Sequence, residues 1–570
     1  MNKPVNRFAV FDSRRLNVFE HDVIVAGAGI AGYRAAFAAK NAKPHLRVAQ
    51  LNFASDQSHG GCSWKTHGIN AAMNPADSIE SHFTDTLRGG GMISDPELAR
   101  VLCQDAPIAI WEMEALGVVF DQNGKHYQTG TYGGVTTARS VHSSDRAGKL
   151  ITDCLRNAAR DIGVTTFHKR VVLNYLVSDG QVFGAICINL ENGTHEIHLA
   201  PKLISALGAG ACTYPITTIS ADKTATGLIA FLDAGGRLVD MEQVQFHPTG
   251  LNMPGMPGHG EIIEEEVRSQ GAKLLNKHGD RFMPKYDKLG EMATRDIVAR
   301  SCYLEVKNGR GSDNGGVFLD LSEISSKFLS DRFPFMSERF QAHGINLAGC
   351  KVLETSPSAH FLMGGIPIDV DGRTEIDGLY ACGEDAGGIH GGNRLGGNGV
   401  ADALVFGARA GFAAAHDDVS VHGRADLEQQ TMICSESGPL SIYEIDTRVK
   451  RLMWDFVGPA RDDAGLLEAK ANLKKIWDQL NSQKVSLPAC KLTSYHLGPR
   501  KIYQKIRLAQ SIISASLERT NSVGAHMRTD ADHENAIYNT LVSSESGVIS
   551  SARVYKQGTM HQALSPREVA

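Results

Sequence analysis

Residues 21–32 read HDVIVAGAGIAG, an apolar run that passes straight into Gly27-x-Gly29-x-x-Gly32 and is followed by YRAAFAAKNA. A short strand, a glycine turn and a helix in that order form the βα unit that lays a pyrophosphate on a helix N-terminus. Free amides and the helix dipole favour negative charge there. The glycine motif alone is weak; the strand before it and the helix after it strengthen it. Residues 46–51 predict the next strand of the same sheet, and Asn52 stands where an acid would take a ribose hydroxyl. An amide can still bond a ribose, but this position lends no support to NAD.

Working outward, KLISALGAG at residues 202–210 predicts a return of the chain to the nucleotide sheet. Further on, residues 356–398 read SPSAHFLMGGIPIDVDGRTEIDGLYACGEDAGGIHGGNRLGGN. Two groups able to hold an anion, His360 and Arg394, flank a strand-like GLYACG that ends in Glu384. Open α/β sheets collect their ligands at such strand ends, and the glycines let backbone approach a ligand closely. A flexible loop is the bland alternative; the embedded Asn-Arg-Leu and the flanking His-Phe-Leu-Met count against it.

Between these segments, residues 56–74 (DQSHGGCSWKTHGINAAMN) form a glycine-rich loop holding His59 and His67, whose imidazoles can equally be structural. Residues 77–116 predict two amphipathic helices, and residues 139–148 open another. The stretch VDMEQVQFHPTGL puts His247 before a Pro-Thr-Gly turn. Residues 248–356 carry more charge and less strand pattern, which predicts an inserted domain. Its closure would seal a site beside His247 and His360. Beyond residue 411 the pattern is helical and polar, and the last fifty residues give little signal.

At 570 residues, with 42% hydrophobic and 21% charged residues and a mean hydropathy of −0.19, the chain has an ordinary globular composition. A net charge of −5 gives no reason to expect a nucleic acid or an anionic membrane surface as partner. Ten cysteines are scattered without a CxxC pair, which excludes the usual zinc and iron–sulfur spacings and predicts free thiols in a reducing compartment. No metal site is expected. The first residues lack an apolar leader core, and no apolar run is long enough to span a bilayer, so the expectation is a cytoplasmic protein without direct membrane insertion.

Taken together, GAGIAG, QFHPTG, TRDIVARS, HFLMGG, HGGNRLGGN, MWDFVGPARD and RTNSVGAHMRTD resemble, in order and over nearly the whole chain, the succinate dehydrogenase and fumarate reductase flavoprotein subunits. The related L-aspartate oxidases share the pattern. The resemblance implies an α/β fold: an FAD-binding Rossmann-like domain (residues 1–247 and 357–425), an inserted α+β capping domain (248–356), and a C-terminal helical domain with a tail (426–570). FAD would lie along Gly27, Ala28, Gly29, Ile30, Ala31 and Gly32, with Asn52, Gly68 and Glu384 contributing. Its ring would sit by Asn398, Gly399 and Val400.

The implied reaction moves two hydrogens across a C–C bond next to a carboxylate, one as hydride through the flavin and one as a proton through the protein. Arg295 matches the family's proton-transfer arginine, and Glu265 and Arg268 match its relay to solvent. His247, His360 and Arg394 match the residues that hold substrate carboxylates; a guanidinium fork meets a carboxylate in two parallel hydrogen bonds. Residue by residue, the chain also departs from the pattern. Glu264 replaces a threonine that offers its hydroxyl to substrate, and an ionised Glu264 would repel a carboxylate by roughly 4 kcal/mol at ~4 Å and an effective dielectric near 20. This predicts a substrate with one carboxylate at the Arg394 end and an amine, hydroxyl or other donor at the Glu264 end. Tyr132 replaces a phenylalanine. The family's flavin-attached histidine aligns with Gly61, two residues from His59, which favours non-covalent FAD and leaves His59 as the residue that would carry any covalent link. Ala225 stands for a flavin-binding aspartate. With no cluster ligands of its own, a reductase of this kind would need an iron–sulfur electron-transfer subunit; an aspartate-oxidase-like enzyme would not.

Overall fold

The computed structural model describes residues 17–55, 66–208, 210–220, 223–419, 441–482, 497–531 and 536–555. Its centre is a five-stranded parallel sheet in the order Leu379–Ala381, Leu203–Ser205, Val23–Ala26, Val48–Leu51, Thr165–Phe167. The first four strands are buried along their length, so they read as continuous apolar runs rather than alternating ones. The return of the chain expected after Lys202 is the strand Leu203–Ser205, paired with Val23–Ala26 on one side and Leu379–Ala381 on the other. Helix Ile30–Ala42 packs against helix Asn398–His416, joining the two ends of the nucleotide-binding half.

A second sheet, in the order Val244–Leu251, Val352–Leu362, Val317–Asp320, Lys273–Leu275, is antiparallel. Around it the inserted segment has a core of its own, including Phe282, Phe333, Met336 and Phe340. The expected cuts at 248 and 356 fall inside the two longest strands of this sheet, which run paired from the nucleotide-binding half into the insertion. His247 is opposite Ser358 in that register, so strand pairing itself brings His247 and His360 into one neighbourhood.

Towards the C-terminus, helices Ile442–Val457, Asp463–Ser482 and Gly498–Glu518 pack on one another. Ser441 opens the first with a capping box completed by Glu444. The low-signal tail holds a hairpin, Tyr538–Glu545 with Val548–Tyr555, that pairs with Leu238–Val239. Its serine-rich alternation hid it from periodicity arguments; a two-residue strand far upstream supplies its partner. Buried Arg519, ion-paired with Glu242 and Asp240, ties this end to the nucleotide-binding half.

Candidate active site

A cavity with an empty volume of about 1290 Å³, open solvent included, runs from the carboxyl ends of the parallel strands to the cap. Its first half is mostly backbone. Gly29, Ile30 and Ala31 begin the helix after Val23–Ala26; Ala206, Leu207 and Gly208 follow Leu203–Ser205; Cys382, Gly383 and Glu384 follow Leu379–Ala381. Gly29 caps its helix without a side chain, so an anion can approach the positive end of the helix closely. Gly27 has φ +117°, and a Cβ there would lie 2.0 Å from the carbonyl oxygen of Ala206. Gly383 is also left-handed at φ +64°, where a Cβ would meet that of Ala31 at 2.7 Å. Such glycine-held strand ends around an elongated hollow fit a dinucleotide cofactor. Glu384 accepts a hydrogen bond from the Leu362 amide at 3.1 Å, and burial pushes its carboxyl up to about 7.

The sequence-predicted cofactor residues divide here. Gly29, Ile30, Ala31, Gly68, Glu384, Gly399 and Val400 line the cavity, whereas Gly27, Ala28 and Gly32 lie outside its lining, in and after the turn. Asn52 does not reach it: its Oδ1 accepts from the Ala54 amide at 3.0 Å and its Nδ2 lies 3.3 Å from His168. Asn398 is also turned away, its Oδ1 bonded to Asn70 Nδ2 (2.8 Å) and His82 Nε2 (3.0 Å), so it locks the start of helix Asn398–His416. His59 lies outside the described residues.

The second half is built from charged and polar side chains. His247 and His360 stand 5.5 Å apart in an edge-to-face arrangement, and His360 Nδ1 is 2.8 Å from Thr218 Oγ1. Burial, then Arg295 for His247 and Arg394 for His360, holds both imidazoles well below their ordinary pKa. At neutral pH they are uncharged and serve as hydrogen-bonding groups. Arg394 stacks over Phe361 at 4.2 Å, its Nη2 donates to Gln245 Oε1 at 3.0 Å, and its Nε has no hydrogen-bond partner. Among the described residues no carboxylate ion-pairs with it, and burial followed by Arg295 brings its pKa down to about 9.

Arg295 is the first residue of helix Arg295–Lys307, placed there by the non-helical Thr294 before it. Its Nε donates to Glu265 Oε2 at 2.6 Å, and its Nη1 to Gln245 Oε1 at 3.1 Å. Glu265 Oε1 in turn lies 3.2 Å from Arg268 Nη2 and accepts from the Gly133 amide at 3.0 Å. Burial alone would raise the Glu265 carboxyl, but Arg295 and Arg268 outweigh it and bring it down to about 2. Arg268 donates to the Glu291 carbonyl at 2.7 Å, and the Glu291 carboxylate pairs with half-exposed Arg281. A line of polar groups therefore leads from the cavity wall to solvent.

At the cap end stand Tyr132 and Glu264. The Glu264 carboxyl is buried and pushed up to about 8, first by burial and then by Asp145. Both favour the protonated carboxyl, which runs against the expectation of an ionised group repelling a substrate carboxylate; Arg339 comes no nearer than 3.8 Å. Tyr132 stays protonated, its pKa raised by burial and then by Glu266. His67 lines the cavity beside them, with Nδ1 3.5 Å from Glu264. Sequence reasoning missed Gln245, Thr218, Phe361 and Lys223, all of them at or beside the cavity wall. For Gln245 a signal existed: it precedes His247 by two on a strand, and alternation puts such pairs on one face.

An FAD binding domain model matches residues 22–400, and a model for the fumarate reductase flavoprotein C-terminal region matches residues 446–567. A chain of the CoM/CoB fumarate reductase of Methanothermobacter marburgensis is 35% identical over 90% of this chain and 95% of its own length. The L-aspartate oxidase of Synechocystis sp. is 30% identical over 95% and 99%. Among solved structures, an E. coli quinol fumarate reductase chain superposes with a TM-score of 0.87 at 26% identity, covering 96% of this chain and 98% of its own. No described helix is long and apolar enough to cross a membrane. With two family models in register along its length and the glycine-lined hollow they call for, the chain belongs to the succinate dehydrogenase/fumarate reductase flavoprotein family and is an FAD-dependent oxidoreductase acting on CH–CH groups.

Proposed function

We propose that the chain oxidises or reduces the C–C bond next to a carboxylate, with Arg295 as proton donor and acceptor and Glu265 and Arg268 as its relay, a reaction for which flavin N5 of a bound FAD would supply the hydride exchange. Bound FAD supplies the two-electron chemistry. Arg394 grips the substrate carboxylate, helped by neutral His247 and His360, and thereby sets the distance of the reacting carbon. The observation that carries this reading is the Arg295–Glu265–Arg268 chain beside an uncompensated, buried Arg394. Phe361 lines the cavity against Arg394 and takes water from that face of the guanidinium, which strengthens its charge interactions. The cap is residues 248–356, moving against the nucleotide-binding half. FAD is held non-covalently, since Gly61 occupies the attachment position; colour released into the supernatant on acid precipitation is the expected result. Electrons pass through a separate iron–sulfur partner protein, and free thiols among the described cysteines support a reducing, cytoplasmic setting.

Dye-linked turnover of an unsaturated or saturated carboxylic acid by the reconstituted holoenzyme tests the reading. Loss of turnover in Arg295→Gln with flavin still bound is the expected outcome; full activity in that variant refutes the proton role. A second reading, an oxidase of the L-aspartate oxidase type, is favoured by the 30% identity to that enzyme. Peroxide formed from aspartate in air would select it.

A further inference from the structure

His67 stands on the cavity wall just before the strand Gly68–Asn70, and its two ring nitrogens have different fates. Nε2 takes a hydrogen bond from Arg332 of the inserted segment. A guanidinium carries only N–H donors, so Nε2 must be the acceptor and the ring proton must sit on Nδ1. Glu266 Oε2 also lies 3.2 Å from Nε2, but it is already bound to Arg332 at 2.7 Å. Burial and then Arg332 hold the imidazole well below its ordinary pKa, so it gains no second ring proton.

Nδ1–H is therefore a donor, and it is buried without a hydrogen-bond partner. Glu264 Oε2, at 3.5 Å, is too far to be one. The ring is held from turning elsewhere: Tyr132, His142 and Phe333 meet it edge to face at centroid distances of 6.1, 5.9 and 5.6 Å, and Arg332 is itself tied to Glu266 and the Ser144 carbonyl. Tyr132 adjoins the proton-transfer arginine, since a Cβ on Gly396 would meet both its ring at 2.9 Å and Arg295 Nη2 at 3.0 Å. A buried donor needs an acceptor, and the open cavity is the side from which one can come. Beside it the raised Glu264 carboxyl offers a second donor in its protonated form, so this end calls for an acceptor and not for the donor that an ionised Glu264 would demand.

We propose that His67 is a specificity-determining residue whose Nδ1–H binds an oxygen acceptor, carboxylate or carbonyl, at the end of the substrate away from Arg394, and that Arg332 is the positioning residue that fixes its tautomer. Arg332 belongs to the cap and His67 to the nucleotide-binding half, so the donor is set only while the two are in contact. The proposal rests on the reading above in which Arg394 holds the substrate's other end by its carboxylate.

The test titrates oxidised holoenzyme, followed by flavin absorbance, with fumarate, 4-oxopent-2-enoate and crotonate, three unsaturated acids whose far end is a carboxylate, a neutral carbonyl and a methyl group. At least one oxygen-bearing acid should bind about tenfold or more tighter than crotonate, since a site built to hydrogen-bond a ligand rejects the analogue that lacks the group. Which of the two leads tells whether the oxygen is charged. His67→Phe should erase most of that advantage with flavin still bound, and His67→Asn, which keeps an N–H donor, should hold on to more of it. Arg332→Gln should lower it too, but no further when added to His67→Phe. Crotonate binding as tightly as both oxygen-bearing acids overturns the proposal in the wild type alone, whether or not a variant folds. An advantage undiminished in His67→Phe also overturns it, and one undiminished in Arg332→Gln overturns the positioning role. Unchanged fumarate affinity in Arg394→Met sinks the carboxylate reading on which the proposal rests; discrimination that ignores His67 sinks this proposal alone.

Discussion

The cavity's two halves are made from different material. The flavin half is backbone at three strand ends, kept open by glycines whose missing Cβ atoms leave the space; its few ionisable groups include Glu384 and Lys223. The substrate half is side chains, with guanidiniums, carboxyls and imidazoles drawn from segments spread between residues 67 and 394. The first half recognises by shape and the second by charge. Damage to the first should therefore register as lost flavin or lost fold, and damage to the second as lost rate or altered pH response with flavin retained.

Replacing Gly27 with alanine is the harshest way to probe the contrast. Its left-handed φ and the 2.0 Å approach to the Ala206 carbonyl leave no place for a methyl group. A loss of roughly 4 kcal/mol or more, with little flavin bound, is expected from urea midpoints and absorbance. Arg295→Gln comes next: kcat should fall by about 10²- to 10⁴-fold while bound flavin is unchanged. Failure to hold flavin in this variant would erase the distinction between the halves.

The two adjacent glutamates sharpen the comparison through pH. Glu265 has its carboxyl lowered from 4.5 to about 2, so the stability it confers is present above pH 4.5 and lost as pH falls through 2. Glu264 is raised from 4.5 to about 8, so its contribution is full below pH 4.5 and lost as pH rises through 8. In the apoprotein, Glu264→Gln should flatten the fall in denaturation midpoint between pH 5 and 8. Glu265→Gln should instead destabilise at neutral pH by about 3–5 kcal/mol, because two buried guanidiniums lose their shared partner. The smallest effect is expected for Thr218→Val, which removes the 2.8 Å contact to His360. A cost of about 1 kcal/mol, seen as a KM rise of several-fold at nearly constant kcat, is the anticipated result.

Much of the fold was readable because its signals are local. The strand, turn and helix at residues 23–42 and the strand at 379–381 announce themselves by apolar runs and glycine punctuation. The C-terminal hairpin escaped because strand pairing with Leu238–Val239 spans some 300 residues, as its register shows. Asn52 and Asn398 were read as cofactor contacts from position alone, and both spend their amides on neighbouring groups.

By itself, the order of residues determined the nucleotide-binding unit, the family pattern and which charged side chains the site could draw on, because each depends on spacing along one segment. Tertiary structure alone decided that Gln245 bridges two arginines and that burial beside Asp145 raises the Glu264 carboxyl. Those outcomes depend on burial and on distances between groups far apart in the chain, and electrostatic energy follows distance and dielectric rather than sequence position.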